Sequence, residues 1–311
     1  MRSERLLVSM KNYIGDAVMT EPMLAAVELA FARVELNAGP PVDQVLWKPG
    51  YPRKFIETPR PKQAWDVVRH ARALRAKSYD VAILVNRSFR SALTVRLAGI
   101  KTRIGHSTEG RGSLLTYAAP YDWDRFEALS QFDLAALAGV ETCSRMPCLT
   151  ATDDEKQRGR DLAEGATVGI QPGARWPGKQ LPIEVTIQVA RAIIASGEKV
   201  ALLGTSEEIE PVTQVAQALG TGFVNLVERT SIRETLGILT CLRAMVGGDT
   251  GLMHLAAGVG CATVTVFGPT SHSKWGHDYP PHRVVKAPNH DMIQVQSEQV
   301  ILALQGVLRD A

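Results

Sequence analysis

Ala244-Met245-Val246-Gly247-Gly248-Asp249-Thr250-Gly251-Leu252-Met253-His254-Leu255-Ala256-Ala257 is the stretch on which the reading of this chain turns. Ala244–Val246 predicts a short buried strand, Leu252–Val259 a helix, and Ala262–Phe267 the next strand. A strand, a polar turn, a helix and a second strand make a parallel crossover unit, in which helices cover a sheet. The turn lies beyond a strand's carboxyl end, where open α/β sheets place their ligands. The backbone N–H groups of Thr250, Gly251 and Leu252 open the helix without intrahelical acceptors, which suits an anion such as a diphosphate. Thr250 adds a hydroxyl donor. His254, in the first helical turn, reads either as a phosphate or loop contact or as a semi-buried histidine with local partners.

The same rhythm extends in both directions. Strands are expected at Arg5–Met10, Arg33–Leu36, Val42–Leu46, Val81–Val85, Lys101–Ile104, Thr167–Gln171 and Lys199–Leu203. Helices are expected at Ala17–Phe31, Trp65–Lys77, Ser88–Leu97, Arg125–Ala138, Asp153–Glu164, Pro182–Ser196, Glu207–Leu219, Ser231–Leu242 and Ser297–Leu308. A length of 311 residues, at about 150 per domain, gives two domains. A composition shift near 148–155 divides the chain into 1–150 and 151–311. The expected fold class is α/β, with two doubly wound domains facing across a cleft.

Charge is uneven. The net charge is +3, but residues 1–150 hold 21 Lys/Arg against 15 Asp/Glu, whereas 151–311 hold 14 against 17. Within 48–111 there are 15 basic and 4 acidic residues. This excess reads either as a site for an anionic partner or as a solvated basic face. It lacks the aromatic interleaving of a nucleic-acid platform, so nucleic acid is not an expected partner. Cys143, Cys148, Cys241 and Cys261 show no CxxC pair, and reduced structural thiols are expected. No metal-ligand spacing, signal peptide or membrane-length apolar run is visible, so a cytoplasmic chain without metal or cofactor is expected.

Three further turns follow predicted strands. In Asn12-Tyr13-Ile14-Gly15-Asp16, Asp16 reads as a helix N-cap or as a general base. Gln171–Pro182 carries Arg175 and Lys179; a cation near a helix start conflicts with the helix dipole, and a bound phosphate relieves that conflict, the other reading being a mobile surface loop. In Gly204-Thr205-Ser206-Glu207-Glu208 a carboxylate either accepts from ribose hydroxyls or complements a helix dipole, with Ser206 as cap. The GxG of Ala257–Ala262 follows a helix rather than a strand, the reverse of a dinucleotide fingerprint.

Taken in order, Ile14-Gly15-Asp16, Pro172-Gly173 with Lys179, Gly204 with Glu208, and Asp249-Thr250-Gly251 with His254 resemble glycosyltransferase family 9, the ADP-heptose:lipopolysaccharide heptosyltransferases. Asn86-Arg87-Ser88-Phe89-Arg90-Ser91-Ala92-Leu93, Ala98-Gly99-Ile100 and Arg103-Ile104-Gly105 look most like its heptosyltransferase II branch. The resemblance implies a GT-B-like fold and inverting transfer of a heptose from ADP-heptose to the lipopolysaccharide inner core. The first domain would then be the acceptor side and the second the nucleotide-sugar side. By position, Asp16 resembles the catalytic base. Lys179 and the amides of Thr250, Gly251 and Leu252 resemble the diphosphate site, Glu208 the ribose contact, and Asp249 and His254 donor-site positions. For an anionic lipid-linked oligosaccharide acceptor the basic stretch offers Arg87, Arg90, Lys101, Arg103 and Arg111. A peripheral contact with the cytoplasmic face of the inner membrane goes with such an acceptor. The alternatives are transfer from another nucleotide-sugar, a nucleotide-sugar epimerase of the same architecture, and a non-catalytic nucleotide-sugar binding protein.

Overall fold

The computed structural model describes residues 2–48, 50, 53–56, 63–141 and 146–310. Two compact units divide between Pro147 and Cys148. In the first, strands β1 (Arg2–Ser9), β2 (Phe31–Asn37), β3 (Lys54–Ile56), β4 (Val81–Leu84), β5 (Thr102–His106) and β6 (Tyr117–Ala119) form one sheet in the order β3-β2-β1-β4-β5-β6. Every pairing in it is parallel. Its helices are α1 (Ile14–Ala30), α2 (Val42–Leu46), α3 (Ala64–Lys77), α4 (Phe89–Leu97) and α5 (Glu127–Leu137). The central strands are apolar along their length because helices cover both faces; Leu6, Leu7, Val8, Ala82, Ile83 and Leu84 are fully buried.

Residues Val42–Leu46, expected as a strand, form α2. Val42, Val45 and Leu46 are its buried positions, a helical spacing that a five-residue window cannot separate from a buried strand. The third strand is instead Lys54–Ile56. The short strand β6 was not foreseen either: three residues leave no period to read.

The second unit repeats the plan. Strands β7 (Val168–Ile170), β8 (Val200–Leu202), β9 (Phe223–Asn225), β10 (Ala244–Gly248), β11 (Ala262–Phe267) and β12 (Arg283–Lys286) run parallel in the order β12-β11-β10-β7-β8-β9. They carry α6 (Asp153–Ala163), α7 (Ile183–Ala195), α8 (Ile209–Leu219), α9 (Ile232–Leu239), α10 (Gly251–Gly258), α11 (His272–Trp275) and α12 (Ser297–Asp310). Val168, Ile170, Val246, Val264, Val189 and Val300 belong to one core. Helices α6 and α9 touch backbone to backbone. A Cβ on Gly237 would lie 2.0 Å from the Glu155 carbonyl oxygen, and one on Gly159 would lie 2.2 Å from the Gly237 carbonyl carbon. Only glycine at both positions allows that approach.

In each sheet the strand order reverses at one place, between β1 and β4 and between β7 and β10. A side-chain bond spans each reversal just past the strand ends. Asn86 Nδ2 donates to Ser9 Oγ at 2.6 Å in the first unit, and the Thr250 hydroxyl donates to Gln171 Oε1 in the second. Ligands of open α/β sheets bind at such switch points.

Candidate functional site

In the first unit, Asp16 stands in the first turn of α1, three positions after the N-cap residue Tyr13, so it is not the N-cap. The Lys11 ammonium, from the end of β1, donates to Asp16 Oδ1 at 2.5 Å and to Glu127 Oε1 at 3.2 Å. Glu127, at the start of α5, is 1% exposed. It also accepts from the Tyr121 hydroxyl at 2.5 Å and from Gln131 Nε2 at 2.9 Å. Burial by itself would raise the Glu127 carboxyl; the Lys11 charge, the Tyr121 hydroxyl and the Arg87 charge outweigh it and hold the group low. The result is a fixed, ionised carboxylate that steadies the cation beside Asp16. The Arg87 guanidinium carbon lies 4.1 Å from the Tyr121 ring centroid and 5.1 Å from that of Trp123, a stacking geometry suited to arginine.

A cavity of about 670 Å³ opens over the β1–β4 switch point. Among its lining residues are Lys11, Asn12, Asn37, His70, Asn86 and Arg90. Asn37 Nδ2 and His70 Nε2 are 3.4 Å apart. Burial keeps the His70 imidazole below its usual value, which favours the neutral ring. Apolar side chains make up much of the wall; its polar groups are mostly uncharged, and Lys11, Arg90 and Glu109 are its charged members.

The five basic residues expected to meet an acceptor do not converge. Of them, Arg90 lines the cavity and Lys101 is exposed. The Arg103 guanidinium donates to the carbonyls of Ile100, Lys101 and Leu114. Arg111 is 0% exposed, so its expected acceptor contact is corrected: it is a structural clamp. Its guanidinium donates to the His106 and Asn86 carbonyls at 2.8 and 2.7 Å, and to the Ser88 carbonyl and Ser91 hydroxyl at 3.3 Å. Burial, foremost, brings its pKa down to about 10. Sequence shows the charge of such an arginine but not that backbone carbonyls surround it.

In the second unit, Thr250 is the N-cap residue of α10, and Gly251 and Leu252 form its first turn, half-exposed. Thr250 spends its hydroxyl on Gln171, not on capping the helix. Lys179 lies in the 3₁₀ turn Pro177–Lys179, ahead of the N-cap residue Pro182 of α7 rather than in the helix start. Its ammonium donates to Asp249 Oδ2 at 2.8 Å, so a carboxylate supplies a counter-charge to this lysine. Gly248 makes this approach geometrically available, since a Cβ there would meet the Lys179 carbonyl oxygen at 2.0 Å.

Asp249 is 4% exposed and also accepts from the Thr270 hydroxyl at 2.7 Å. His254, 6% exposed, places Nε2 3.6 Å from Asp249 Oδ1, an electrostatic contact longer than a hydrogen bond. Burial pushes the Asp249 carboxyl upward, but His254 and Lys179 together outweigh it and hold the group far below the usual carboxylate range. Behind His254 lie His277 and Tyr279, neither singled out by sequence; histidines scattered along a loop have no periodicity to reveal that they meet.

Glu208 ends the 3₁₀ turn Ser206–Glu208 and is 2% exposed. Its carboxylate accepts from Gln171 Nε2, from the Thr205 amide and from the Thr205 hydroxyl, each at 2.7 Å. Thr205, not Ser206, is the cap, in a reciprocal capping box. Gln171 therefore joins Glu208 on one side to Thr250 on the other. It lay within a stretch already noted, but a glutamine carries no charge signature. Among the described residues no group of three or more His, Cys, Asp or Glu is arranged to hold a metal ion, and no described helix is long and apolar enough to cross a membrane.

Residues 67–302 match the family model for glycosyltransferase family 9 (heptosyltransferase). Lipopolysaccharide heptosyltransferase 2 of Escherichia coli K12 is 25% identical over 291 residues, covering 86% of this chain and 83% of that protein. The structure of E. coli ADP-heptose lipopolysaccharide heptosyltransferase II superposes with a TM-score of 0.83 at 23% identity, over 98% of this chain and 99% of that one. E. coli heptosyltransferase WaaC with ADP gives 0.78 at 20% identity, over 97% and 99%. Two parallel six-stranded sheets flanked by helices give the α/β, GT-B-like fold class of those structures. With more than half its length matched by the family model, the chain belongs to glycosyltransferase family 9, the heptosyltransferases.

Proposed function

We propose that this enzyme transfers a heptose, with inversion, from ADP-heptose to an acceptor sugar of the lipopolysaccharide inner core. The observation that carries the reading is the second unit's switch point. There the amides opening α10 adjoin a lysine held against a buried aspartate. Donors fixed at a helix start meet the charge that grows on a departing diphosphate without reorganising. In this reading Lys179 and the Thr250, Gly251 and Leu252 amides take the diphosphate, Asp249 and His254 border the heptose, and Glu208 faces the ribose. The second unit is the nucleotide-sugar side.

In the first unit, Asp16 accepts the proton of the acceptor hydroxyl as that oxygen attacks the anomeric carbon, and the nucleotide leaves from the opposite face. Lys11 and Glu127 hold the Asp16 carboxylate in place. The cavity beside them takes the reacting acceptor sugar through neutral partners such as Asn37, His70 and Asn86. Arg90 in its wall and Arg87, next to Asn86, serve the anionic groups around it. A lipid-linked acceptor of this kind brings the enzyme to the cytoplasmic face of the inner membrane as a peripheral visitor.

Thermal shift with ADP, UDP and GDP tests the donor: ADP should raise Tm most, because a ligand that binds only the native state stabilises it. Asp16→Asn should keep ADP binding and lower turnover about 100- to 10,000-fold. Preference for UDP or GDP would redirect the donor assignment. Conversion of ADP-heptose without an acceptor would mark an epimerase.

A further inference from the structure

His254 Nδ1 lies 3.0 Å from His277 Nε2, and His277 Nδ1 lies 2.8 Å from the Tyr279 hydroxyl. His277 is 4% exposed. Asp249 and Lys179 stand on one side of His254; His277, Tyr279 and His282 stand on the other, with Lys274 against the Trp275 ring. Chemistry narrows the hydrogen positions. A ring lone pair facing a buried carboxylate is repelled by it, so His254 Nε2 carries a hydrogen towards Asp249. Two imidazole nitrogens at 3.0 Å share one hydrogen between them.

Two arrangements meet both conditions. With His254 neutral, the Tyr279 hydroxyl donates to His277 Nδ1, and His277 Nε2–H donates to His254 Nδ1. With His254 charged, its Nδ1–H donates to His277 Nε2, and His277 Nδ1–H donates to the tyrosine oxygen. A hydroxyl donates or accepts with equal ease, so no member of the line loses its partner in either state. His277 is neutral in both. Burial, foremost, holds its pKa well below normal, and burial raises that of the Tyr279 hydroxyl.

Asp249 is matched by Lys179 in this structure. A diphosphate that drew the ammonium away would leave a buried carboxylate with too little compensation, which is costly. We propose that Tyr279 and His277 form a proton relay that charges His254 when a diphosphate draws Lys179 away from Asp249. In the step, Tyr279 passes its hydrogen to His277 Nδ1 and takes one from a buffer acid through water, which leaves the conjugate base in solution, while His277 passes its Nε2 hydrogen to His254 Nδ1. One proton enters from solvent and no tyrosinate forms. This rests on the donor-site reading above.

ADP titrated into the full-length protein is the test. Calorimetry in two buffers of different ionisation heat should show proton uptake by the wild type beyond that of Tyr279→Phe. Protons bound by the nucleotide itself are common to both proteins and cancel. Tyr279→Phe should bind ADP roughly fivefold more weakly, the effect of one buried hydrogen bond. Nitrogen-15 histidine spectra should show His254 becoming doubly protonated and His277 moving its hydrogen from Nε2 to Nδ1 on ADP addition. If Tyr279→Phe does not fold, the wild-type spectra decide alone. ADP binding with an unchanged His277 tautomer and no excess uptake removes the relay and leaves the donor site standing. Absence of ADP binding overturns both.

Discussion

Replacing Lys179 with methionine keeps the length of the side chain and removes the ammonium that lies 2.8 Å from Asp249 Oδ2. At an effective dielectric constant of about 20, unit charges at that separation attract by about 6 kcal/mol. Desolvation of both partners cancels much of this. Because Lys179 keeps 23% of its side chain exposed, a net loss of about 2–3 kcal/mol is expected. Asp249 retains Thr270 at 2.7 Å and the nearby His254 ring, which limits the damage. For a unit of this size the loss lowers Tm by about 5–10 °C. The pH dependence has a definite sign. The Asp249 carboxyl is held below its unfolded value, so the pair's stabilisation is complete above about pH 4 and fades as the pH falls towards the folded value. The Tm gap between wild type and variant should therefore be widest near neutrality and narrow in acid. Calorimetric melts across that range measure it, and an ADP titration at neutral pH measures the second loss, about 10- to 100-fold in affinity for a charge-assisted contact. A Tm gap that does not change with pH, together with unaltered ADP affinity, would refute both the ion pair's role and the diphosphate assignment.

Gly237→Ala should lower the Tm of the second unit by several degrees, since its Cβ would fall 2.0 Å from the Glu155 carbonyl oxygen and force α6 from α9; thermal denaturation by circular dichroism checks it, and an unchanged Tm would contradict the backbone contact. Arg111→Met should cost about 3 kcal/mol or more by orphaning buried carbonyls, while the KM for acceptor in the protein that folds stays near normal; a selective rise in acceptor KM would restore Arg111 to the binding surface. Asn86→Ala should raise the acceptor KM and leave ADP affinity unchanged, as steady-state kinetics and calorimetry can separate; parallel loss of ADP binding would place the cavity on the donor side.

Much of this architecture was readable because a buried parallel strand is a run of apolar residues and its crossover helix has a period. Val81–Leu84, Ala262–Phe267 and the helix at Asp153–Ala163 are clear for that reason. The three-residue strands Tyr117–Ala119 and Phe223–Asn225 form at sheet edges through pairing alone, and α2 is too short to declare its period. Turn residues that follow strands were visible by position, which is how Asp16, Lys179, Glu208 and Asp249 came to notice. Their partners were not. Lys11 with Glu127, Gln171 with Glu208, and His254 with His277 meet through tertiary structure, across gaps that no local pattern spans. Charge density misled for the buried Arg111, since a guanidinium can serve the protein's own carbonyls as readily as a ligand.

The Lys11–Glu127 bond joins residues 116 positions apart. During synthesis, the amino-terminal strand and the aspartate that follows it emerge long before the glutamate that steadies them. The packing of α5 against α1 is what brings Glu127 to the Lys11 ammonium, so the surroundings of Asp16 are complete only once two distant parts of the chain have met.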